Sequence, residues 1–414
     1  MLDIKFIRQN PEKVKGACQN RGVKIETEKL LKLDEGRRKL IQKIEKLRAE
    51  KNKGGQEKVE ELRRKKEEIK KLEKELKKME GKFKELMYKI PNLAFDDVPL
   101  GKDENDNVIL YEVGERPKFS FKPKDYLEIV KEKIDLERAA KTSGSRFYYL
   151  KNEIALLELK LINFAVEFLI KEKNIKKVIQ EKKLNLSSKP FIPIIPPLML
   201  KGEVMRNLGY LDQAPDETYF LEKDKLYLIG TAEQSLIAMH VNEILSEEDL
   251  PIRYLGFPCS SFRREAGSYG KDVRGIFRVH QFEKVEMVSF CTSETSKLEH
   301  ELLVALEEAL MKKINIPYRI VQICTGDLSY PSATTYDIEG WIPSQEKYRE
   351  LGSSSNCTDF QARRLNIRYK NKQGKNFLVH TLNGTALALP RTIIAVIENY
   401  QKKDGGFDWP EILK

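Results

Sequence analysis

Two long stretches near the N-terminus carry apolar residues every three or four positions, the spacing that gathers them on one face of an α-helix. Leu30, Leu33, Leu40, Ile44 and Leu47 alternate as a and d positions of a heptad, with Arg37 filling one a position. Leu62, Ile69, Leu72, Leu76, Met79, Phe83, Leu86 and Ile90 form a second series. Asn52-Lys53-Gly54-Gly55 interrupts them, so the pattern predicts two antiparallel helices joined by a tight glycine turn, a helical hairpin over about residues 28–90. Such a hairpin buries one seam and leaves its flanks to water. Ahead of it, Asn10-Pro11-Glu12 predicts a helix start with asparagine as cap and proline in the first turn, and Gly16 to Gly22 loosens the chain. Behind it, Ile90-Pro91-Asn92-Leu93 and Val98-Pro99-Leu100-Gly101 punctuate a linker, which predicts two domains, 1–100 and 101–414.

In the second domain the periods mix. An amphipathic helix is expected around residues 144–169 (Leu156, Leu157, Leu159, Ile162, Phe164, Ala165, Phe168, Leu169), followed after a lysine-rich stretch by a strand, Phe191 to Ile195, stopped by Pro196-Pro197. From Phe262 to Glu286 the pattern predicts a strand, a long loop from Gly267 to Gly275, and a second strand with Ile276, Arg278, His280, Phe282 and Lys284 stepping at period two. Arg278, Phe282 and Glu286 then share a face and present a guanidinium, an aromatic plane and a carboxylate to one space. The arginine fork meets phosphate oxygens in bidentate fashion, so a nucleotide would find partners there, although an ordinary hairpin with a charged outer face has the same pattern. Near the C-terminus, His380 to Gln401 predicts a short strand and a glycine turn running into an apolar helix, with Pro390 in its first turn and Arg391 at its start, where exposed amides favour an anion. Neither a dinucleotide fingerprint nor a P-loop nor regular β-α-β alternation is present, which argues against a Rossmann core.

Charge changes the reading of the hairpin. The chain carries 75 Lys and Arg against 64 Asp and Glu, a formal excess of +11, and residues 29–89 alone hold 23 against 13, an excess of 10. The cations are concentrated on a projecting arm, for which a polyanion is the obvious partner, while a lysine-rich solvated face that binds nothing is the plainer alternative. With 34% charged residues, no apolar run of spanning length and no signal peptide at Met1 to Asn10, the chain reads as soluble and cytoplasmic, with no membrane partner. The five cysteines (Cys18, Cys259, Cys291, Cys324, Cys357) and four histidines (His240, His280, His300, His380) are scattered, so neither a disulfide framework nor a zinc site is expected.

Six blocks over about 170 residues carry a more specific signal than any one pattern: Thr231-Ala232-Glu233; Phe262-Arg263-Arg264-Glu265-Ala266-Gly267-Ser268; His280-Gln281-Phe282-Glu283-Lys284-Val285-Glu286; Cys324-Thr325-Gly326-Asp327-Leu328; Ser355-Asn356-Cys357 with Asp359 to Arg364; and Glu398-Asn399-Tyr400-Gln401. In wording and order they resemble the seryl-tRNA synthetases of bacterial type, with Phe262–Glu286 and His380–Gln401 similar to motifs 2 and 3 of class II aminoacyl-tRNA synthetases. The resemblance implies an α+β fold, an antiparallel sheet flanked by helices behind an N-terminal coiled-coil arm that grips tRNA(Ser), here shorter than is usual in the family. It implies that the helix around 144–169 and the strand after it resemble motif 1 and build a homodimer interface.

The implied activity is that of an ATP-dependent, AMP-forming ligase. It activates L-serine with ATP to seryl-adenylate and pyrophosphate, then passes serine to the 3′ end of tRNA(Ser); whether tRNA(Sec) is charged too depends on the organism. Carried over by position, Arg263 holds the α-phosphate and the serine carboxylate, and Arg278 and Arg391 hold the γ-phosphate. Phe282 stacks on adenine, and Glu265 contacts it beside Arg264. Glu350, with Leu351, Gly352 and Ser353, contacts ATP, and Glu350 and Ser353 meet its Mg2+. Thr231, Ala232, Glu233, Arg263, Glu286 and Thr385 bind serine. Thr385 and Pro390 stand where many relatives carry serine and glycine. A relative that charges a carrier protein, or a catalytically dead RNA-binding paralogue, remains the alternative.

Overall fold

A computed structural model describes residues 1–53, 59–211, 215–257, 260–266 and 274–414. The predicted Gly54-Gly55 turn, and Gly267 to Val273 of the predicted loop, lie outside the described residues. The chain divides into two compact units, Met1–Leu93 and Ala94–Lys414.

In the first unit two short helices, α1 (Ile4–Gln9) and α2 (Pro11–Asn20), precede two long ones, α3 (Thr27–Lys53) and α4 (Val59–Tyr88). Asn10 does not cap α2 with its side chain; its amide donates back to Phe6 O at 3.1 Å, and Gly16 lies inside α2. The long helices are antiparallel, with Ile44, Ile69 and Leu72 buried in a seam completed by Leu40, Leu47 and Leu76. Arg37, the odd residue in the heptad, lays its guanidinium 4.7 Å from the centre of the Phe83 ring and reaches Asp34 at 3.2 Å. Asp34 is fully buried and also receives Arg8 from α1 and Arg38 from α3, which makes a charge affordable inside so thin a structure.

Residues 94–100, expected in the first domain, pack in the second unit. Phe95 N–H donates to Ala333 O at 2.9 Å, and Val98 clusters with Val321, Ile323 and Leu328. Among the described residues nine strands form one sheet: β1 (Val108–Val113), β2 (Ile192–Ile194), β3 (Ile252–Gly256), β4 (Ser260–Phe262), β5 (Gln281–Cys291), β6 (Tyr318–Gln322), β7 (Thr334–Ile342), β8 (Lys347–Asn356) and β9 (His380–Ala388). Their order is β1-β6-β7-β8-β9-β5-β3-β2, with β4 paired to β5, and every pairing is antiparallel except β2 with β3. This is the expected α+β class. Helices α5 (Glu153–Leu169), α6 (Glu172–Glu181), α8 (Ser296–Lys313) and α9 (Leu389–Asn399) share one large core with the sheet, while α7 (Ala232–Ala238) packs in a second cluster with Val288 and Phe290.

Three expectations change. The second strand of the 262–286 region starts at Gln281, not Ile276; among the described residues, 276–280 have no ladder partner. No glycine turn breaks the 380–388 stretch; β9 runs through Gly384 between β8 and β5. The lysine-rich stretch after α5 is itself a helix, α6, whose Ile175, Val178 and Ile179 are buried at helical spacing. No helix among the described residues is long and apolar enough to cross a membrane.

The seam makes a prediction: Leu72→Ala should cost about 2–4 kcal/mol of arm stability. A urea titration followed by helical circular dichroism should show an early loss of helix that the parent chain lacks.

Candidate active site

Antiparallel pairing sends alternate side chains of neighbouring strands to the same face, and here β5, β8 and β9 line a cavity of about 620 Å³ with the start of α9 at its rim. β5 contributes Phe282, Lys284 and Glu286, and β9 contributes Asn383, Thr385 and Ala388. Two irregularities adjust the alternation. Between β5 and β9 the register shifts, so that Ala386 is left over and Thr385 stands opposite Glu286. Between β7 and β8 a shift at Leu351 lets four consecutive residues, Glu350, Leu351, Gly352 and Ser353, reach the cavity.

One side of the cavity is cationic, and its arginines are fixed by backbone or carboxylate oxygens. Arg263 Nε donates to Gly230 O at 3.1 Å, and its guanidinium lies 5.3 Å from the Phe282 ring centre. Arg391 Nη1 donates to Glu350 O and pairs with Glu350 Oε2, both at 3.0 Å, while its Nε reaches Phe277 O at 3.4 Å. Arg278 pairs with Glu265 at 3.2 Å, and Arg146 donates to Glu265 O, holding a residue whose φ is +52°. Burial pushes the Glu350 carboxyl up, but Arg391, then Arg263 and Arg278, outweigh it and hold the group below the usual carboxylate range.

The other side is acidic and buried. Thr231 caps α7 by accepting from Glu233 N–H at 3.3 Å, which turns Glu233 inward. The buried Glu233 carboxylate accepts from Tyr210 Oη at 2.7 Å and Gln361 Nε2 at 2.9 Å, and burial still raises it. Glu286 is equally buried and pairs with Lys284; burial pushes its carboxyl up to about 7 against the pull of that ammonium.

Of the expected site residues, Thr231, Glu233, Arg263, Glu265, Arg278, Phe282, Glu286, Glu350, Leu351, Gly352, Ser353, Thr385 and Arg391 line this cavity together. Ala232 and Arg264 do not. Ala232 is fully buried against Gly256, and Arg264 turns its guanidinium over Tyr219 at 4.8 Å. Lys284 was missed although it shares the period of Phe282 and Glu286, which was signal enough. Tyr210 and Phe277 had no local signal.

Beyond the cavity, Tyr126 fixes the approach to Arg278. Its Oη accepts from Ile276 N–H at 2.7 Å, its own N–H donates to Glu398 Oε1 at 3.2 Å, and a Cβ on Gly275 would stand 1.7 Å from that hydroxyl.

Two family models match the chain: "Seryl-tRNA synthetase N-terminal domain" over residues 1–94 and "tRNA synthetase class II core domain (G, H, P, S and T)" over residues 219–400. The Serine--tRNA ligase of Hydrogenobaculum sp. (strain Y04AAS1) is 45% identical over 432 residues, covering 100% of this chain and 98% of that one. The chain belongs to the seryl-tRNA synthetase family. The crystal structure of seryl-tRNA synthetase from Pyrococcus horikoshii complexed with ATP superposes with a TM-score of 0.88 at 40% identity, covering 100% of this chain and 97% of that one. The cytoplasmic enzyme of Naegleria fowleri in complex with AMP gives 0.84 at 31%, covering 100% and 96%. By this kinship the chain is a serine–tRNA ligase.

Tyr126→Phe leaves the buried Ile276 N–H without its acceptor, at a cost of about 1 kcal/mol or more. ATP–pyrophosphate exchange should show the KM for ATP raised about fivefold, with the KM for serine unchanged.

Proposed function

We propose that the two sides of the cavity divide the first half-reaction, the arginines aligning ATP and the buried carboxylates selecting serine. The observation that carries this reading is their convergence in one cavity: three guanidiniums tied to backbone or carboxylate oxygens face two buried glutamates. Serine's carboxylate is ionised at neutral pH and is already a nucleophile, so the site has no need of a general base. Its task is to bring two anions together in line and to stabilise the charge that builds on phosphorus.

In this reading Arg263 bridges the serine carboxylate and the α-phosphate. Arg278 and Arg391 hold the γ-phosphate, Phe282 offers its ring to adenine, and Glu265, which already orients Arg278, meets the adenine edge. A carboxylate oxygen of serine attacks the α-phosphorus, the bond to the β-phosphate oxygen breaks, and pyrophosphate departs. Glu233 and Glu286 receive the ammonium and hydroxyl of serine, with Thr231 and Thr385 beside them. In the second half-reaction a 3′-terminal hydroxyl of tRNA(Ser) attacks the activated carbonyl and AMP leaves.

Glu350 and Ser353 offer two hard oxygen donors to Mg2+, a set that suits an ion taking its remaining ligands from phosphates and water. Bound there, the ion would neutralise charge on the phosphates. The basic arm is the surface proposed for tRNA, and the exposed apolar residues Leu156 and Leu159 on α5 belong to the proposed homodimer face. The proposed setting is the cytoplasm.

Arg263→Ala should abolish serine-dependent exchange. Replacing the exposed Lys66, Lys70 and Lys71 with alanine should leave exchange intact and raise the KM for tRNA(Ser) about tenfold, by loss of phosphate contacts. Lys65 is left alone because it fills a seam position. Loss of exchange in the lysine variant would overturn the separation of tRNA binding on the arm from activation in the cavity.

The Glu286 carboxyl makes a pH prediction. Serine's ammonium binds the carboxylate form, so protonation competes as pH falls through about 7, and the KM for serine should rise about tenfold for each unit well below that value. The stability effect has the opposite sign: the folded chain holds this proton more tightly than the unfolded one, so stabilisation present below the ordinary carboxylate pKa is lost as pH rises toward 7. Exchange kinetics between pH 5.5 and 8 decide it, since Glu286→Gln should give a high KM with a flat profile.

A further inference from the structure

Arg278 stands before β5 begins, in a stretch with no ladder partner among the described residues. A ring of contacts that begins and ends on α9 holds this stretch instead. Arg391, at the start of that helix, donates through Nε to Phe277 O at 3.4 Å, and its guanidinium lies 4.8 Å from the centre of the Phe277 ring. Next to Phe277, Ile276 N–H donates to Tyr126 Oη at 2.7 Å, and Tyr126 N–H donates to Glu398 Oε1 at 3.2 Å. Glu398 follows Arg391 by two turns on the same face of α9, so the helix itself closes the ring over roughly 10 Å. The fully buried Glu398 carboxylate gathers two further donors, Ser344 N–H at Oε2 and the Ser344 hydroxyl at Oε1, both at 2.9 Å. Ser344 lies in the turn between β7 and β8, and β8 carries Glu350, the partner of Arg391. Just past the helix, Gln401 takes the same strap by a second point, its Oε1 accepting from Lys124 N–H at 2.8 Å.

We infer that Glu398 is a positioning residue for the γ-phosphate of ATP: by clasping Tyr126 to the far end of α9, it sets Arg278 at a fixed place relative to Arg391. This rests on the proposed reading of Arg278 and Arg391 as the γ-phosphate arginines. Both arginines line the cavity and Glu398 does not, so it acts only through Tyr126. Two guanidiniums grip one phosphate when their separation matches its oxygens, and a small misplacement forfeits much of the gain. A ring with a helix for one side holds that separation, and opening it at any contact releases Arg278. Arg263, anchored at Gly230 O outside the ring, keeps its place. The defect is then felt by ATP and by pyrophosphate, which retains the γ-phosphorus, and not by serine or AMP.

The test is a set of variants measured by serine-dependent ATP–pyrophosphate exchange and by thermal melting. Glu398→Met fills the space without an acceptor and should raise the KM for ATP and for pyrophosphate about fivefold, leaving the KM for serine and inhibition by AMP within about twofold. Gln401→Met, which frees the same strap at its second point, should raise the KM for ATP about threefold and keeps the test open if the first variant fails to fold. Tyr126→Phe opens the same ring elsewhere, so the double variant with Glu398→Met should be little worse than either single one; effects that multiply to about 25-fold overturn the inference. A role in stability alone predicts a lower melting temperature with every KM unchanged, and that result overturns it too, as does an equal rise in the KM for ATP and for serine. Arg278→Ala is the control for the underlying reading. If it leaves the KM for ATP unaltered, the γ-phosphate assignment itself is wrong; if it raises that KM while Glu398→Met does not, only the role of Glu398 falls.

Discussion

A guanidinium stabilises a developing phosphate charge only if it is already where the charge will appear, and in the proposed site the arginines' spare donors are held by backbone oxygens. Arg391 is held by the carbonyls of Glu350 and Phe277, and Arg263 by that of Gly230. Each carbonyl belongs to a different segment, so the cationic wall is rigid only while β8, the Phe277 segment and the Gly230 turn keep their relative positions. The core beneath the sheet enforces that. The catalytic geometry is therefore a property of the whole second unit.

The two register shifts convert a regular sheet into a site. A regular antiparallel strand offers a cavity every second residue, whereas the shift at Leu351 lets β8 present Glu350 and Ser353 to the same space, and the skip at Ala386 brings Thr385 opposite Glu286. A bulge frees backbone polar groups, and in a buried sheet these need partners from outside the ladder. On the other face of the sheet α8 comes close at Gly384, where a Cβ would stand 2.9 Å from Glu307 Oε1.

These arrangements explain which parts of the molecule were legible in its sequence. The arm was readable from periodicity because a two-helix seam is a local property, and even its exception, Arg37, has a local explanation in Asp34 and Phe83. Arg278, Phe282 and Glu286 were read as one surface because they lie four residues apart; they do share the cavity, although Arg278 precedes the strand that was expected to carry it. What escaped was non-local. Tyr126 and Ile276 are 150 residues apart, and fully buried Arg253 finds Glu299 across 46 residues, with nothing in either neighbourhood to announce the pairing. Gly384 was read as a turn because glycine between polar residues usually is one; only the structure shows it inside a strand, with a glutamate close beneath it.

The acidic side of the cavity obeys a different logic from the cationic side. Glu233 and Glu286 are each raised by burial, so the pocket resists carrying both charges at once. Glu233 has two donors, Tyr210 and Gln361, and Glu286 has one cation, Lys284. A neutral ligand cannot relieve the remaining desolvation cost, whereas one bringing both an ammonium and a hydroxyl can satisfy the carboxylates while it binds. Discrimination then follows from what is left unpaired: an alanine in the same place strands a buried acceptor at a cost of about 1–3 kcal/mol or more, without any clash being built against it. Selection by unsatisfied polar groups requires walls that cannot relax to find other partners, and a central strand held from below by a packed helix is such a wall.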